Sequence, residues 1–406
     1  MTLAVGGAAC LGSFGGGMEA LMRGAPLSVV HADGRAAAVD TSALKGKLPA
    51  RALRQLDHFS RTALLCALNA LEDAGISESP LRDTGIILAS GYGPATPTFE
   101  FQDSILAYGE LLASPLAFSR SVQNIPAATL AVMLHMVGPC ATVCRGDFPV
   151  ADALCVARQW LEEGRVERVL FGAVDELTPL LAQLTRLRAG LRSSSAGREG
   201  LRAALPVSEG AVFFCLTSGK EAPELCGRHT PTIGLNGAAE FSARSGERSD
   251  RNGAPAAFAG KGLRGCIEDI RYGRAGNSDS AGNAEAERTA AAAGDAARTG
   301  VLRAGTTDSE VAPGSDTGFD GRAGVRGEVP VFLSGAVPRR LRALPGMRYA
   351  GHVYGNIPIA QAFDAVSALS CGNGLPAGRA LCRAYGAGGR TACLYVRQAE
   401  NGGGVS

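Results

Sequence analysis

Two uninterrupted apolar runs of strand length, Val169-Leu170-Phe171-Gly172-Ala173-Val174 and Ala211-Val212-Phe213-Phe214-Cys215-Leu216, limit the fold of this chain more than any other feature. A strand with one wet face alternates apolar and polar residues, so a continuous apolar run must be covered on both faces. A sheet covered on both faces needs helical layers above and below it, which places the chain in the layered α/β class. With 406 residues, 46% of them hydrophobic, there is enough chain to build such a core or two fused half-domains.

The surrounding pattern supplies the helices. Ser60 is placed to cap a helix whose Leu64, Leu65, Leu68 and Leu71 recur at helical spacing, and Gly75 is placed to end it in the left-handed region. A buried strand is expected at Gly85-Ile86-Ile87-Leu88-Ala89. Another, Ala141-Thr142-Val143-Cys144, runs through Arg145-Gly146-Asp147 into a helix with Val150, Leu154, Ala157 and Leu161 on one face, stopping at Gly164.

From about 238 to 328 the composition turns to Gly, Ala, Ser, Arg and Asp, with a short apolar patch near 263–270. Such a stretch buries too little surface to offset the entropy of ordering, so it is expected to be mostly disordered. The resulting division is an N-terminal half over 1–218, the start of a second half at 219–237, the low-complexity insert over 238–328 and a C-terminal half over 329–406. The last part is expected to hold a strand from 329 to 335, a helix near 359–369 and a closing strand at 392–396.

Charge and cysteine usage narrow the function classes. Forty basic and 38 acidic residues leave a net charge of +2, with no basic block interleaved with aromatics, so nucleic acid is not an expected partner. Eleven cysteines fall mostly inside apolar runs without CxxC pairs, which fits a reducing cytoplasm and no structural zinc. His31, His58, His135 and His229 show no ligand spacing and are read as surface or core filler, so no metal is expected. No apolar run is long enough to span a bilayer, and the N-terminus lacks a signal-peptide pattern; a soluble, unprocessed protein is expected. Gly15-Gly16-Gly17 lacks the lysine and spacing of a phosphate loop and is read as a turn.

An ordered series of motifs then resembles the β-ketoacyl synthases, condensing enzymes of duplicated thiolase fold. Ala4-Val5-Gly6-Gly7 with Ser13-Phe14-Gly15 is similar to that family's first strand and turn, and Leu56-Asp57-His58-Phe59-Ser60 to its "LDRFS" helix start. Ser121-Val122-Gln123-Asn124-Ile125-Pro126, the Gly138-Pro139 strand and Ser208-Glu209-Gly210-Ala211 follow in family order. Gly351-His352-Val353-Tyr354-Gly355 is similar to "GHxxG", and Tyr385-Gly386-Ala387-Gly388-Gly389 to the "FGFGG" loop. The resemblance implies a thiolase-like αβαβα fold of two related halves, the second interrupted by the insert.

A condensing enzyme of this kind needs a thiolate at a strand-to-helix elbow, where the helix N-terminus lowers the thiol pKa. Nine residues on from Gly138 that position falls on Asp147, which cannot carry a thioester. Asp147 is read either as an altered site or as an N-cap beside Pro149; the cap is favoured because aspartate and anions suit that helix end. Cys144, three residues earlier, is the alternative nucleophile, although an odd shift along a strand turns its side chain to the opposite face. His352 matches the family's second histidine, with a structural hydrogen bond as the favoured role, and no histidine stands near Gly305-Thr306-Thr307 to supply the first. Ala387 stands where the family has a bulky gating phenylalanine.

The pattern therefore resembles the non-condensing partner subunits of ketosynthases, of chain-length-factor type, and Gly146-Asp147 resembles those of aryl-polyene-type pathways. The resemblance implies an intact ketosynthase as heterodimer partner, substrate delivered on an acyl carrier protein, and no dissociable cofactor. Phe118, Asn124, Pro126 and Leu130 are the interface candidates; Phe148, Leu154 and Ala387 are the tunnel candidates. An acyltransferase using Cys144, a malonyl-carrier decarboxylase using His352, and a structural scaffold remain as alternatives.

Overall fold

The structure, a computed structural model, describes residues 2–14, 17, 21, 38–76, 81–184, 208–219, 265–274, 330–335, 337, 347–348, 357–370, 379–386 and 390–398. In chain order the elements are β1 (Leu3–Gly12), α1 (Ala50–Gln55), α2 (His58–Ala74), β2 (Thr84–Ser90), α3 (Ala95–Tyr108), α4 (Pro115–Ser121), α5 (Ile125–Met133), β3 (Cys140–Cys144), α6 (Pro149–Glu162), β4 (Arg168–Asp175) and β5 (Gly210–Ser218). They continue with β6 (Gly265–Arg274), β7 (Val331–Gly335), β8 (Met347–Arg348), α7 (Ala360–Ser370), β9 (Arg379–Tyr385) and β10 (Arg390–Gln398).

The strands join in the order β3-β2-β4-β5-β1-β6-β10-β9-β7-β8. This order is the same five-strand pattern written twice, outward from the β1/β6 junction. In the first half β2 is parallel to β3 and β4, while β5 runs antiparallel to β4 and β1. In the second, β7 is parallel to β8 and β9, while β10 runs antiparallel to β9 and β6. The halves meet where Leu3, Ala4 and Val5 pair with Ile267, Cys266 and Gly265. This is the duplicated, layered α/β architecture that the motif series implies.

The two apolar runs are β4 and β5, side by side and buried throughout apart from the last residue of β5. Adjacent residues serve different layers: Phe214 faces the core shared with Leu154, Phe363 and Leu394, whereas Phe213 faces the core shared with Leu64, Leu68 and Leu130. The first core lies between α6, α7 and both half-sheets, and the second lies under α2 and α5 on the outer face of the first half.

Two expectations need correction. α2 begins at His58, and its cap is Asp57, whose carboxylate accepts the Ser60 N–H at 2.6 Å, so Ser60 is the capped residue and not the cap. Gly75 does close that helix, at φ 63°. The apolar patch near 263–270 is also more than a patch: it is the strand β6, hydrogen-bonded on both sides at the centre of the sheet. Its composition average hides this, because only Cys266, Ile267 and Ile270 supply buried apolar side chains and the backbone ladder does the rest. The other residues of the expected insert, and 220–237, lie outside the described residues.

Candidate functional site

The strand-to-helix elbow forms because β3 ends at Cys144 and Pro149 opens α6. Proline lacks an N–H and suits a first helical position, and it disfavours right-handed helical backbone in the residue before it. That residue, Phe148, sits in the left-handed region at φ 59°, ψ 34°, a conformation that strains a bulky side chain by about 1–3 kcal/mol. The elbow is held by the Arg145 N–H donating to the Ser90 carbonyl at 2.9 Å, and by Arg145 pairing with Asp152 in the first turn of α6. Tyr272 of β6 donates to the other Asp152 oxygen at 2.5 Å, and its ring packs edge-on against Phe148.

Asp147, at the position where the resemblance puts the thiol, is not the N-cap residue of α6; that place is taken by Phe148, whose side chain makes no cap bond. Instead, the Asp147 Oδ2 accepts from Arg390, the first residue of β10, at 2.7 Å. Phe148, one residue on, takes the N-cap position in the left-handed region. The Gly386 N–H donates to the Arg390 carbonyl at 2.9 Å. Gly386 also passes close to the elbow: a Cβ there would stand 2.6 Å from Phe148 Cζ and 3.1 Å from Asp147 Cγ.

Cys144 ends β3 beside the ends of β2 and β4. Burial, reinforced by the nearby Asp175 carboxyl, pushes its thiol up to about 11, the opposite of what a nucleophilic cysteine needs. Asp175 is fully buried; its Oδ1 accepts from Ser90 Oγ at 2.7 Å and from the Gly91 and Tyr92 N–H groups. Burial outweighs those bonds and pushes its carboxyl up to about 7.

His352 and Ala387 lie outside the described residues. Phe148 is buried beside Asp147, and Leu154 is buried in the central core. Of the interface candidates, Phe118 and Asn124 are exposed, and Phe118 packs its ring on Phe101 at 5.2 Å. Pro126 and Leu130 are buried within this chain, Leu130 in the core beneath α2. The reason is helical: α5 turns Leu130 inward and leaves Val132 facing out.

Sequence reasoning missed Arg390, although its place after the glycine loop was a usable signal. It also took His58 for filler. His58 Nε2 lies 2.7 Å from Oε1 of the buried Glu209, which also accepts the Val39 and Leu177 N–H groups. That hydrogen bond raises the His58 pKa above its usual value. The family pattern has arginine at this place, so the cation here is one that titrates.

Among the described residues, no helix is long and apolar enough to cross a membrane, and no group of three or more His, Cys, Asp or Glu side chains could hold a metal ion.

In fold, the chain is similar to the β-ketoacyl synthases. Residues 32–221 match the family model for the β-ketoacyl synthase N-terminal domain. A putative polyketide β-ketoacyl synthase 1 from Streptomyces virginiae is 26% identical over 197 residues, a match covering 45% of this chain and 46% of that relative. Among solved structures, the ishigamide ketosynthase/chain length factor has a TM-score of 0.64 at 16% identity, covering 98% of this chain and 100% of the other. A type II polyketide synthase acyl-carrier protein in complex with its ketosynthase bound to the hexaketide scores 0.62 at 13% identity, over 98% and 99% of the two chains. A ketosynthase from module 6 of the bacillaene synthase of Bacillus subtilis scores 0.54 at 14% identity, over 99% and 71%. These structural likenesses show the ketosynthase fold.

Proposed function

We propose that this chain is a ketosynthase-like polyketide synthase subunit that does not condense on its own and works as the chain-length-factor-type partner of an intact ketosynthase. The observation that carries this reading is the elbow: a carboxylate bound to Arg390 stands where the resemblance requires a thiolate. An acid held by a guanidinium can form no thioester, and Cys144, with its thiol near 11, is a poor substitute.

The surface supports the partnership. Leu106, Tyr108, Leu111, Leu112, Leu116 and Phe118 project from α3, α4 and the turn between them, Leu111 fully exposed. Val132 and Val137 are exposed as well, and among the described residues β3 is the outermost strand at its end of the sheet. Exposed apolar side chains and a strand edge are the kind of surface that another subunit covers. On this reading the growing chain arrives on an acyl carrier protein, no dissociable cofactor is needed, and Phe148 beside the elbow is the candidate for shaping the end of the chain's path. The aryl-polyene-type placement rests on the Gly146-Asp147 pair alone.

Co-expression with a candidate intact ketosynthase tests the reading. The expected result is a co-purifying heterodimer that makes product from malonyl carrier protein, unchanged in rate by Asp147→Ala, while this chain alone is neither acylated nor active. Acyl uptake by the isolated chain overturns it. Carbon dioxide release from malonyl carrier protein by the isolated chain overturns it in favour of a decarboxylase.

A further inference from the structure

α3 has an unusual attachment. It has no cap of its own, because Pro94 precedes it and accepts nothing through its side chain. Glu176, one residue past β4 and buried, supplies the cap from outside: the Thr96 N–H donates to Oε1 at 2.7 Å, and Thr96 Oγ1 lies 3.1 Å from Oε2. From 98 to 116 no residue is buried, and the buried contacts that tie the hairpin of α3 and α4 to the other described residues lie at its two roots. The second root is held by the buried Ala117 and by Arg120 donating to the Gln55 carbonyl at 2.9 Å. This hairpin carries Leu106, Tyr108, Leu116 and Phe118 of the apolar patch.

The first root is surrounded by acids. Asp57 and His58 face Glu176 from the start of α2, and Arg61, bonded to the Leu53 carbonyl, lies behind His58. Glu209 approaches from the start of β5 through the Leu177 N–H and His58. Asp175 is the neighbour of Glu176 along the chain, with its carboxyl turned toward Ser90. We propose that this cluster is a proton-operated anchor: a proton on Glu176 fixes the root of the partner-facing hairpin, and its loss on the alkaline side loosens it.

The geometry accommodates the proton. Protonated Glu176 keeps both bonds, with Oε1 accepting the Thr96 N–H and the Oε2 hydroxyl donating to Thr96 Oγ1. Ionised Glu176 is a buried negative charge in company with Asp57 and Glu209, which is costly without a full counter-charge. Burial, with Asp57 beside it, outweighs the Thr96 bonds and the His58 ring, which favour the ionised form, and pushes the Glu176 carboxyl up to about 7 from the ordinary 4.5. An acid with a raised folded pKa binds its proton more tightly when anchored; anchoring is therefore strongest at low pH and is lost as pH rises through about 7. With those two values, the constant for release grows about tenfold between pH 6 and pH 8. His58 acts in the same direction, because its deprotonation leaves Glu209 without its partner cation.

The role of the hairpin rests on the partner-subunit reading; its motion does not, so the test uses the full chain alone. Hydrogen–deuterium exchange of peptides from 96–118, corrected for the intrinsic rate, should show protection falling about tenfold from pH 6 to pH 8. In Glu176→Gln, which keeps both hydrogen bonds without ionising, protection should stay flat. Protection independent of pH in the natural chain, or an unchanged slope in Glu176→Gln, overturns the anchor. Should Glu176→Gln fail to fold, His58→Arg supplies a permanent cation and should shrink the pH effect; an unchanged slope there overturns the anchor equally. A pH-dependent hairpin on a chain that captures no intact ketosynthase would support the anchor and sink the partner reading.

Discussion

Leu130 and Val132 stand two residues apart on α5 and should separate core from interface. Leu130 is 0% exposed in the core beneath α2, whereas Val132 is 75% exposed. Leu130→Ala removes a fully enclosed isobutyl group from a site walled by α2 and β2, so the chain alone should lose about 2–5 kcal/mol of stability. At a urea slope of about 3 kcal/mol/M, the midpoint moves down by roughly 0.7–1.7 M. Val132→Ser should leave that midpoint within about 0.5 kcal/mol of the natural chain while weakening capture of the ketosynthase partner. Trp160, the chain's single tryptophan and buried on α6, reports the melt by fluorescence. If Leu130→Ala costs under about 1 kcal/mol yet abolishes partner capture, the assignment of Leu130 to this chain's own core is wrong.

Two further outcomes follow from the titrating groups. A thiol near 11 against an ordinary 9 carries about a hundredfold less thiolate at neutral pH, so Cys144 should be alkylated by iodoacetamide about that much more slowly than a free thiol. Mass spectrometry that finds Cys144 the fastest-labelled cysteine would restore it as a nucleophile. Asp175, Glu176 and His58 all have raised values in the folded chain, so each binds its proton more tightly when folded. The acids' contribution is fully present below their ordinary values and is lost as pH rises toward about 7; that of His58 is full below 6.5 and is lost as pH rises through its folded value. The urea midpoint should therefore fall between pH 6 and pH 8, and a rise over that window would refute the assignment.

Much of the fold was legible because it is written in periodicity. The continuous runs of β4 and β5 require two covered faces, the leucines of α2 repeat at helical spacing, and Gly75 and Pro149 act through local backbone geometry alone. The strand-to-helix elbow was legible too, because β3 and α6 each carry a local pattern. β6 escaped because a strand bonded on both sides needs few apolar side chains, and a composition window cannot see hydrogen bonds to chain more than 100 residues away.

The sequence by itself thus determined the layered class, several of its strands and helices, and the presence of an acid where the resemblance puts a thiol. Only the tertiary structure decided what that acid does. Asp147 pairs with Arg390, and Gly386 passes beside it, because the fold brings in the other half, 239 positions along the chain (386 − 147). In the same way, His58 becomes an ion-pair partner only because folding brings Glu209 to it. Local spacing encodes local geometry, whereas a charge acquires its role from groups that only the closed fold brings within a few ångströms.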